Sequence, residues 1–169
     1  MEATIKLYSL NYHEAKTYLF ALLFIAGNII LPQLCHFVPG GGLMWLPIYF
    51  FTLIAAYKYG LRVGLLTAVL SPLVNSALFG MPAVAVLPVI LAKSTLLAGA
   101  SAYTAHKTGK ISILALIGVV LSYQLTGAIV EWIAVKDFFV AIEHFRMGIP
   151  GMLVQVFGGY FVLKAIAKF

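Results

Sequence analysis

Charged residues are scarce in this sequence: they make up 9% of its 169 residues, whereas hydrophobic residues make up 63%. Soluble domains carry roughly 25% charged residues, so this scarcity excludes an ordinary soluble domain and predicts an integral membrane protein. No stretch resembles a separate soluble domain, and a chain of this length has room for one compact helical bundle. We therefore expect a single transmembrane domain over residues 1–169, with a short polar lead-in over residues 1–16.

Cysteine and the familiar catalytic motifs are also lacking. The single cysteine, Cys35, excludes an intramolecular disulfide and a multi-thiolate metal site. The sequence contains no HExxH, GxSxG or Walker motif and no paired membrane aspartates. We therefore expect neither an enzyme nor a resident metal or cofactor, and any ATP must be hydrolysed by another protein.

Six apolar segments come close to the length of about 20 residues that a helix needs to cross a membrane. They are residues 17–34, 42–57, 61–78, 82–105, 111–135 and 149–166. The second segment is short, which predicts a broken or steeply placed helix. The first is too long for a signal-peptide core and no cleavage pattern follows it, so we expect it to be retained. The predicted fold is an all-α bundle of six transmembrane helices.

The positive charges fall mostly on one side of this predicted bundle. The side that holds the N-terminus collects Lys6, Lys16, Lys58, Arg62, Lys107, Lys110, Lys164 and Lys168, whereas the other side keeps Lys136 and Arg146. Because positive residues accumulate in cytoplasmic loops, both termini are predicted to be cytoplasmic. The net charge of +6 is thereby explained without nucleic acid as a partner.

Three local patterns add detail to the bundle. Residues 1–16 could form a short interfacial helix or a frayed lead-in. Residues 136–148 place phenylalanines at helical spacing against charged residues, which suits a helix in the interface plane or a lid over an outward cavity. Four consecutive helices are expected to be interrupted by prolines, and the freed backbone groups must bond to neighbours or line a cavity. These prolines are Pro32, Pro47, Pro72 and Pro88.

Lys93 is the only charged residue between residues 82 and 105. An ammonium at bilayer depth costs at least ~2.5 kcal/mol, so it usually faces a bundle interior or an aqueous cavity. The alternative is a lysine that extends its side chain to the nearer interface. The first interpretation places a cation at the floor of a polar pocket.

Polar side chains from five helices fall in the outer half of the predicted bundle. At ~1.5 Å of rise per residue, Lys93 lies ~16 Å below the outer end of its helix and Glu131 lies at the outer mouth. That separation of about 15 Å in depth argues against an ion pair between them. The other members are Asn75, Gln124, Gln155 and Trp45. Each amide could instead bond between helices, and Glu131 could be solvated, but the shared depth predicts a pocket that opens outward.

A lysine without a nearby carboxylate requires an anion. We therefore expect a substrate with a carboxylate or phosphate aimed at Lys93, and aromatic walls from Trp45, Tyr49 and Tyr123 against its body.

Cys35 and His36 are adjacent in the first outer loop. They could supply soft ligands to a metal or a metal-bearing substrate. Adjacent residues seldom converge on one ion, so an ordinary pair of loop residues is the alternative.

Three stretches of the sequence resemble the substrate-binding (S) components of energy-coupling factor (ECF) vitamin transporters. They are VPGGGLMWLP from Val38, KYGLRVGLLTAVLSPLVNSALFGMP over residues 58–82, and AVLPVILAKSTLLAGASAY over residues 85–103. The size, the six predicted helices and the cytoplasmic termini fit this family as well. The resemblance implies a vitamin-capturing subunit of an ABC importer in the prokaryotic cell membrane. It also implies three partner subunits, a transmembrane coupling protein and two cytoplasmic ATPases, and a toppling motion that releases the substrate.

The resemblance also bears on the substrate. Biotin, lipoate and pantothenate carry the carboxylate expected at Lys93, and cobalamin stays open through Cys35 and His36. Family members often have an acidic residue near the position of Lys93, so the change of sign favours an acidic ligand. Glu2 stands where the nickel and cobalt branch has a metal-binding histidine, which disfavours transition-metal uptake.

The docking face is less clear. Where the family often has an Ala-xxx-Ala motif on the first helix, this chain has Ala21 and Ile25. A second hypothesis, independent of the docking face, is a non-transport scaffold subunit of a membrane complex. It predicts that Lys93 pairs with a backbone carbonyl or a lipid phosphate and that the outer half of the bundle is packed solid.

Overall fold

The protein is almost entirely helical. A computed structural model describes residues 2–4 and 6–168. Its helices are α1 (Ala15–Cys35), α2 (Gly41–Trp45), α3 (Pro47–Tyr59), α4 (Leu61–Phe79), α5 (Leu87–Thr108), α6 (Ile113–Val135), α7 (Phe138–Met147), α8 (Ile149–Leu153) and α9 (Gly159–Ala165), with a π-helical segment, Val154–Gly158, between α8 and α9. Two short strands, β1 (Glu2–Thr4) and β2 (Lys110–Ser112), pair antiparallel with Ala3 opposite Ile111.

Three of the described helices, α1, α4 and α6, are long and apolar enough to cross a membrane. A fourth crossing is counted if α7 and residues Ile149–Ala165, bent by 49° relative to each other, act as one span. The second predicted segment is broken, as expected. Leu46 adopts a positive φ of 47° between α2 and α3, and Pro47 begins α3, where its missing N–H removes no helical hydrogen bond.

Helix α3 forms the centre of the bundle, because every residue from Thr52 to Tyr59 is buried. It packs against α1, α4 and α5, and α5 packs in turn against α6. The close approach of α3 and α4 depends on Gly64, where an added Cβ would overlap Ala56. Gly60, with φ of 90°, supplies the turn between the two helices in a conformation that L side chains rarely adopt.

Both ends of the described chain meet at one end of the bundle, here called the inner end. The Lys6 amide donates to the Ala167 carbonyl at 3.1 Å, and the Tyr8 amide donates to the Lys58 carbonyl at 3.0 Å. The buried Lys58 Nζ donates to the carbonyls of Lys6 (2.8 Å) and Ala167 (3.2 Å). A strand and an extended segment therefore replace the interfacial helix considered for residues 1–16, and that alternative is wrong for the described residues.

The prolines interrupt fewer helices than predicted. Pro47 and Pro88 lie in the first turns of α3 and α5, where proline is well tolerated. The predicted interruption at Pro47 corresponds to the break between α2 and α3, whereas the one predicted at Pro88 is wrong, because that proline interrupts no helix. Pro32 and Pro72 lie inside α1 and α4. Pro32 leaves the carbonyl of Asn28 without its helical donor, and Asn75 Nδ2 donates to that carbonyl at 2.9 Å. A neighbouring helix thus supplies the missing hydrogen bond.

The amphipathic segment at the outer end forms helix α7, as its spacing predicts. Asp137 caps it: Oδ1 accepts hydrogen bonds from the amides of Phe139 (2.9 Å) and Val140 (3.2 Å). This cap satisfies two of the donors that the first turn of a helix leaves free.

Candidate functional site

Helix α6 carries a buried polar stripe, which consists of Tyr123, Gln124, Gly127 and Glu131. Their spacing of three or four residues places them on one face of the helix. This face turns towards the interior, where α5, α7 and the π-helical segment pack against α6. Polar residues on those elements therefore meet the stripe.

Lys93 and Glu131 form an ion pair across α5 and α6. Lys93 Nζ lies 2.5 Å from Glu131 Oε2, and their side chains are 12% and 9% exposed. The prediction that they are too far apart in depth to pair is wrong. Helix α5 starts at Leu87 instead of residue 82, so Lys93 is only ~9 Å below its outer end, while Glu131 is ~6 Å below the end of α6. Lys93 therefore has a carboxylate beside it. The argument that Lys93 requires an external anion because it has no nearby carboxylate no longer holds.

The same carboxylate binds a second basic side chain. His144, on α7, has Nδ1 2.5 Å from Glu131 Oε1, and its side chain is 32% exposed. An ionised carboxylate can only accept hydrogen bonds, so His144 Nδ1 is the donor. Lys93, Glu131 and His144 thus form a chain of three ionisable groups that runs from the bundle interior to its outer surface. We call it the outer charge chain.

His144 was missed in the sequence, although a signal was present. It lies in the amphipathic segment that spacing predicts as a helix, one residue after Glu143. The prediction for this segment rested on its phenylalanines and its formally charged residues, and it did not consider the histidine at the border between the two faces.

Gly127 makes the ion pair possible. A Cβ added at Gly127 would lie 2.6 Å from Lys93 Cγ and 3.0 Å from Cε. The stem of the lysine therefore lies directly across the glycine, and this contact leads its ammonium towards Glu131, one turn further along α6. The sequence offered no way to distinguish Gly127 from other glycines of the apolar helices.

A second part of the stripe joins α6 to α3 and to the π-helical segment. The Tyr123 hydroxyl donates to Gln155 Oε1 at 2.9 Å, and the rings of Tyr123 and Tyr49 lie 5.5 Å apart. Gln155 is 1% exposed, and its Nε2 has no hydrogen-bond partner. π-helical segments often occur at functional sites, and this one places an unpaired donor beside two buried tyrosines.

Gln124 and Trp45 lie where the elements of the outer end meet. A Cβ added at Gly148, between α7 and α8, would lie 3.3 Å from Gln124 Nε2, and one added at Gly151 would lie 2.6 Å from the Trp45 carbonyl. The Trp45 side chain itself is 37% exposed. The predicted aromatic wall is therefore divided: Tyr49 and Tyr123 contact each other, whereas Trp45 lies at the rim.

Asn75 belongs to a separate polar cluster between α1, α3 and α4. Besides its bond to the Asn28 carbonyl, Asn75 Nδ2 donates to the Ser71 carbonyl at 3.0 Å. Asn28 Nδ2 in turn donates to Thr52 Oγ1 at 3.0 Å and to Ser71 Oγ at 3.2 Å. These bonds show that Asn75 connects helices, which is the alternative to a ligand-binding role that the sequence left open for each amide.

His36 lines a cavity of about 300 Å³ at the outer end, bounded by the ends of α1 and α5, by the glycines of α2 and by Met81 and Pro82. Its Nδ1 lies 2.6 Å from the Pro32 carbonyl. The neighbouring Cys35 is half-buried and is a free thiol. Within residues 2–4 and 6–168, no three His, Cys, Asp or Glu side chains lie close enough to hold a metal ion.

Neither a protein-family model, nor a curated protein, nor a solved structure matches the chain.

Proposed function

We propose that this protein is the substrate-capturing subunit of an ECF-type importer in a prokaryotic cell membrane. In this proposal it crosses the membrane six times, with α2 and α3 together forming the second pass and the inner end facing the cytoplasm. It takes a small vitamin-like molecule with an acidic group from outside. A transmembrane coupling protein and two cytoplasmic ATPases complete the importer, and the protein itself catalyses no reaction.

The observation that carries this proposal is the outer charge chain. Ionisable groups inside a membrane bundle are costly and typically mark substrate or ion pathways, and a buried ion pair is weak evidence for stability as such. Here three such groups lie together under an amphipathic helix, next to the buried tyrosines and the unpaired Gln155 amide. This arrangement favours a binding site for a polar molecule over plain helix packing.

The ligand's acidic group is placed at Lys93 in this proposal. Because Glu131 already contacts Lys93, the two carboxylates would share one ammonium, and His144 would hold Glu131 from its other side. The scaffold hypothesis predicts that Lys93 pairs with a carbonyl or a lipid phosphate. The Glu131 partner and the 300 Å³ outer cavity both argue against that hypothesis.

The first test is ligand capture by the purified protein in nanodiscs. Native mass spectrometry should find a co-purified small molecule, and equilibrium binding with radiolabelled biotin, lipoate and pantothenate should identify one ligand of high affinity. Lys93→Met should lower that affinity at least about tenfold, since it removes a charge-assisted contact of ~1.5–3 kcal/mol. The control is Lys107→Met, which removes an exposed lysine near the inner end and should leave affinity unchanged. If no small molecule binds or co-purifies, the scaffold hypothesis replaces this proposal.

A further inference from the structure

The outer charge chain carries a net charge that depends on one proton. Lys93 and Glu131 cancel each other, so the chain is neutral when His144 is neutral and has a charge of +1 when His144 is protonated. Both oxygens of Glu131 are occupied, Oε2 by Lys93 and Oε1 by His144. The chain therefore has no spare counter-charge for an incoming anion unless His144 gains a proton.

An anion that arrives at Lys93 makes this proton necessary. With neutral His144, the site would hold two carboxylates and one ammonium, a net charge of −1 among side chains that are about one-tenth exposed. Burying an uncompensated charge is strongly unfavourable, and such groups change protonation instead. A proton on His144 restores neutrality, because the imidazolium lies directly against Glu131.

The geometry gives His144 access to that proton. Its Nδ1–H already points to Glu131, which leaves Nε2 as the nitrogen that accepts a second proton. The side chain is 32% exposed, more than twice the exposure of Lys93 or Glu131, so the solvent at the outer surface can supply it.

Within the outer charge chain, both Glu131 oxygens already accept hydrogen bonds, which leaves His144 as the group with a free position for the proton, and outside the chain no described charged side chain near α7 is buried. Helix α7 packs against α6, α2 and α8; α2 and α8 carry no ionisable residue, and α6 contributes Glu131. The remaining charges near α7 are Lys136, Asp137, Glu143 and Arg146, all of which are exposed. Exposed charges are screened by solvent and salt.

We propose that the protein captures its acidic ligand together with one proton, with the ligand's carboxylate on Lys93 and the proton on His144. This inference rests on the proposed function and sharpens it, since it makes the captured species electrically neutral overall. The ligand class is a monoanion, and His144 loses its added proton when the ligand leaves the site. By reciprocity of linked binding, acidification strengthens ligand binding, and ligand binding makes His144 easier to protonate.

The test measures binding of biotin, lipoate and pantothenate between about pH 6 and pH 8, the range in which imidazoles change charge. For the one that binds, we expect affinity to fall by up to about tenfold for each pH unit, which is the slope that uptake of one proton gives. Isothermal titration calorimetry in two buffers of different ionisation enthalpy should show uptake of close to one proton. The uncharged analogues biotinamide, lipoamide and panthenol should bind without proton uptake.

His144→Gln supplies the decisive variant, because the amide can still donate to Glu131 but cannot titrate. It should abolish the pH dependence, whereas the control His106→Gln, at an exposed histidine at the end of α5, should retain it. If His144→Gln fails to fold, the calorimetric proton count on the unmodified protein still tests whether ligand and proton bind together, and His144→Asn replaces the variant that locates the proton. Tight binding without proton uptake overturns this inference and leaves the proposed function intact. Absence of binding by every compound overturns both.

Discussion

Glu131 contacts two basic side chains, and its own side chain is 9% exposed. Its position is therefore constrained from two sides. Its two oxygens contact Lys93 and His144, on α5 and α7. Removing one partner of a buried ion pair leaves an uncompensated charge and typically costs more than the pair contributes. The carboxylate therefore links α5, α6 and α7. Small changes at its neighbours should alter ligand binding more than they alter the overall fold.

Gly127 offers a precise way to disturb this contact. Gly127→Ala adds a methyl group 2.6 Å from Lys93 Cγ, so the lysine stem must move and its ammonium is displaced from Glu131. We expect a loss of about 1–3 kcal/mol in the free energy of unfolding, as for other overpacked sites, together with weaker ligand binding. Reversible unfolding in mixed micelles and equilibrium binding measure the two effects.

The matched control for that change is Gly118→Ala on the same helix. A Cβ there has no heavy atom within 4 Å, and alanine is the better helix former by roughly 0.5–1 kcal/mol. Its stability should be equal to or slightly above that of the unmodified protein. Equal stability and equal ligand affinity of the two alanine variants would contradict the role assigned to Gly127.

At the scale of elements, the sequence predicted the long helices well and their ends less well. Hydrophobic runs place α1, α4 and α6 within two residues of their observed bounds. The predicted start of α5 is wrong by five residues, because α5 begins at Leu87. Residues 82–86 are as apolar as the helix that follows, so hydropathy does not mark where the helix begins. That error of five residues accounts for about half of the predicted difference in depth between Lys93 and Glu131, and most of the rest came from placing Glu131 at the mouth instead of ~6 Å below it.

Contacts between elements could be predicted only in part. The depth argument put Gln155 and Asn75 in one group, whereas the structure brings Gln155 against Tyr123 and Asn75 into a separate cluster, because depth does not reveal which face of a helix a residue occupies. Asn28 was missed altogether, although an amide inside an apolar run is the same kind of signal as Asn75. The pairing of Pro32 with Asn75 is visible only once α1 and α4 are seen side by side.

This pairing between α1 and α4 can be tested by coupled substitutions. Asn75→Ala should destabilise the protein by about 1–3 kcal/mol, because the Asn28 carbonyl loses its donor. In a Pro32→Ala background the loss should be smaller, since the new backbone N–H at position 32 can bond to that carbonyl within α1. The measurement is a double-mutant cycle of unfolding free energies.

Pro72→Ala is the control for the cycle, because it restores a helical donor within α4 to a different carbonyl. It should show no coupling to Asn75→Ala through Asn28. Additive losses in the Pro32 cycle would mean that Asn75 stabilises the protein by some other contact.

At the scale of the whole molecule, the inner and outer ends differ in charge and in exposed surface. Lysines gather around the inner end, whereas the loop after α1 carries Phe37, which is 84% exposed. We predict that a membrane-impermeant maleimide labels Phe37→Cys in intact cells, in a Cys35→Ser background. Lys107→Cys in the same background should react only after the membrane is opened. Labelling of both positions in intact cells would overturn the proposed six-pass topology.

The two carbonyl acceptors of the Lys58 ammonium are synthesised at different times. This ammonium bonds to the carbonyls of Lys6 and Ala167, and Ala167 is 109 residues further along the chain. Lys6 is already made when Lys58 leaves the ribosome, but the second acceptor arrives last. In a nascent chain, the Lys58 ammonium at the inner end therefore lacks one of its two carbonyl acceptors until translation has passed Ala167. A product that stops before Ala167 would retain only the Lys6 carbonyl of these two acceptors.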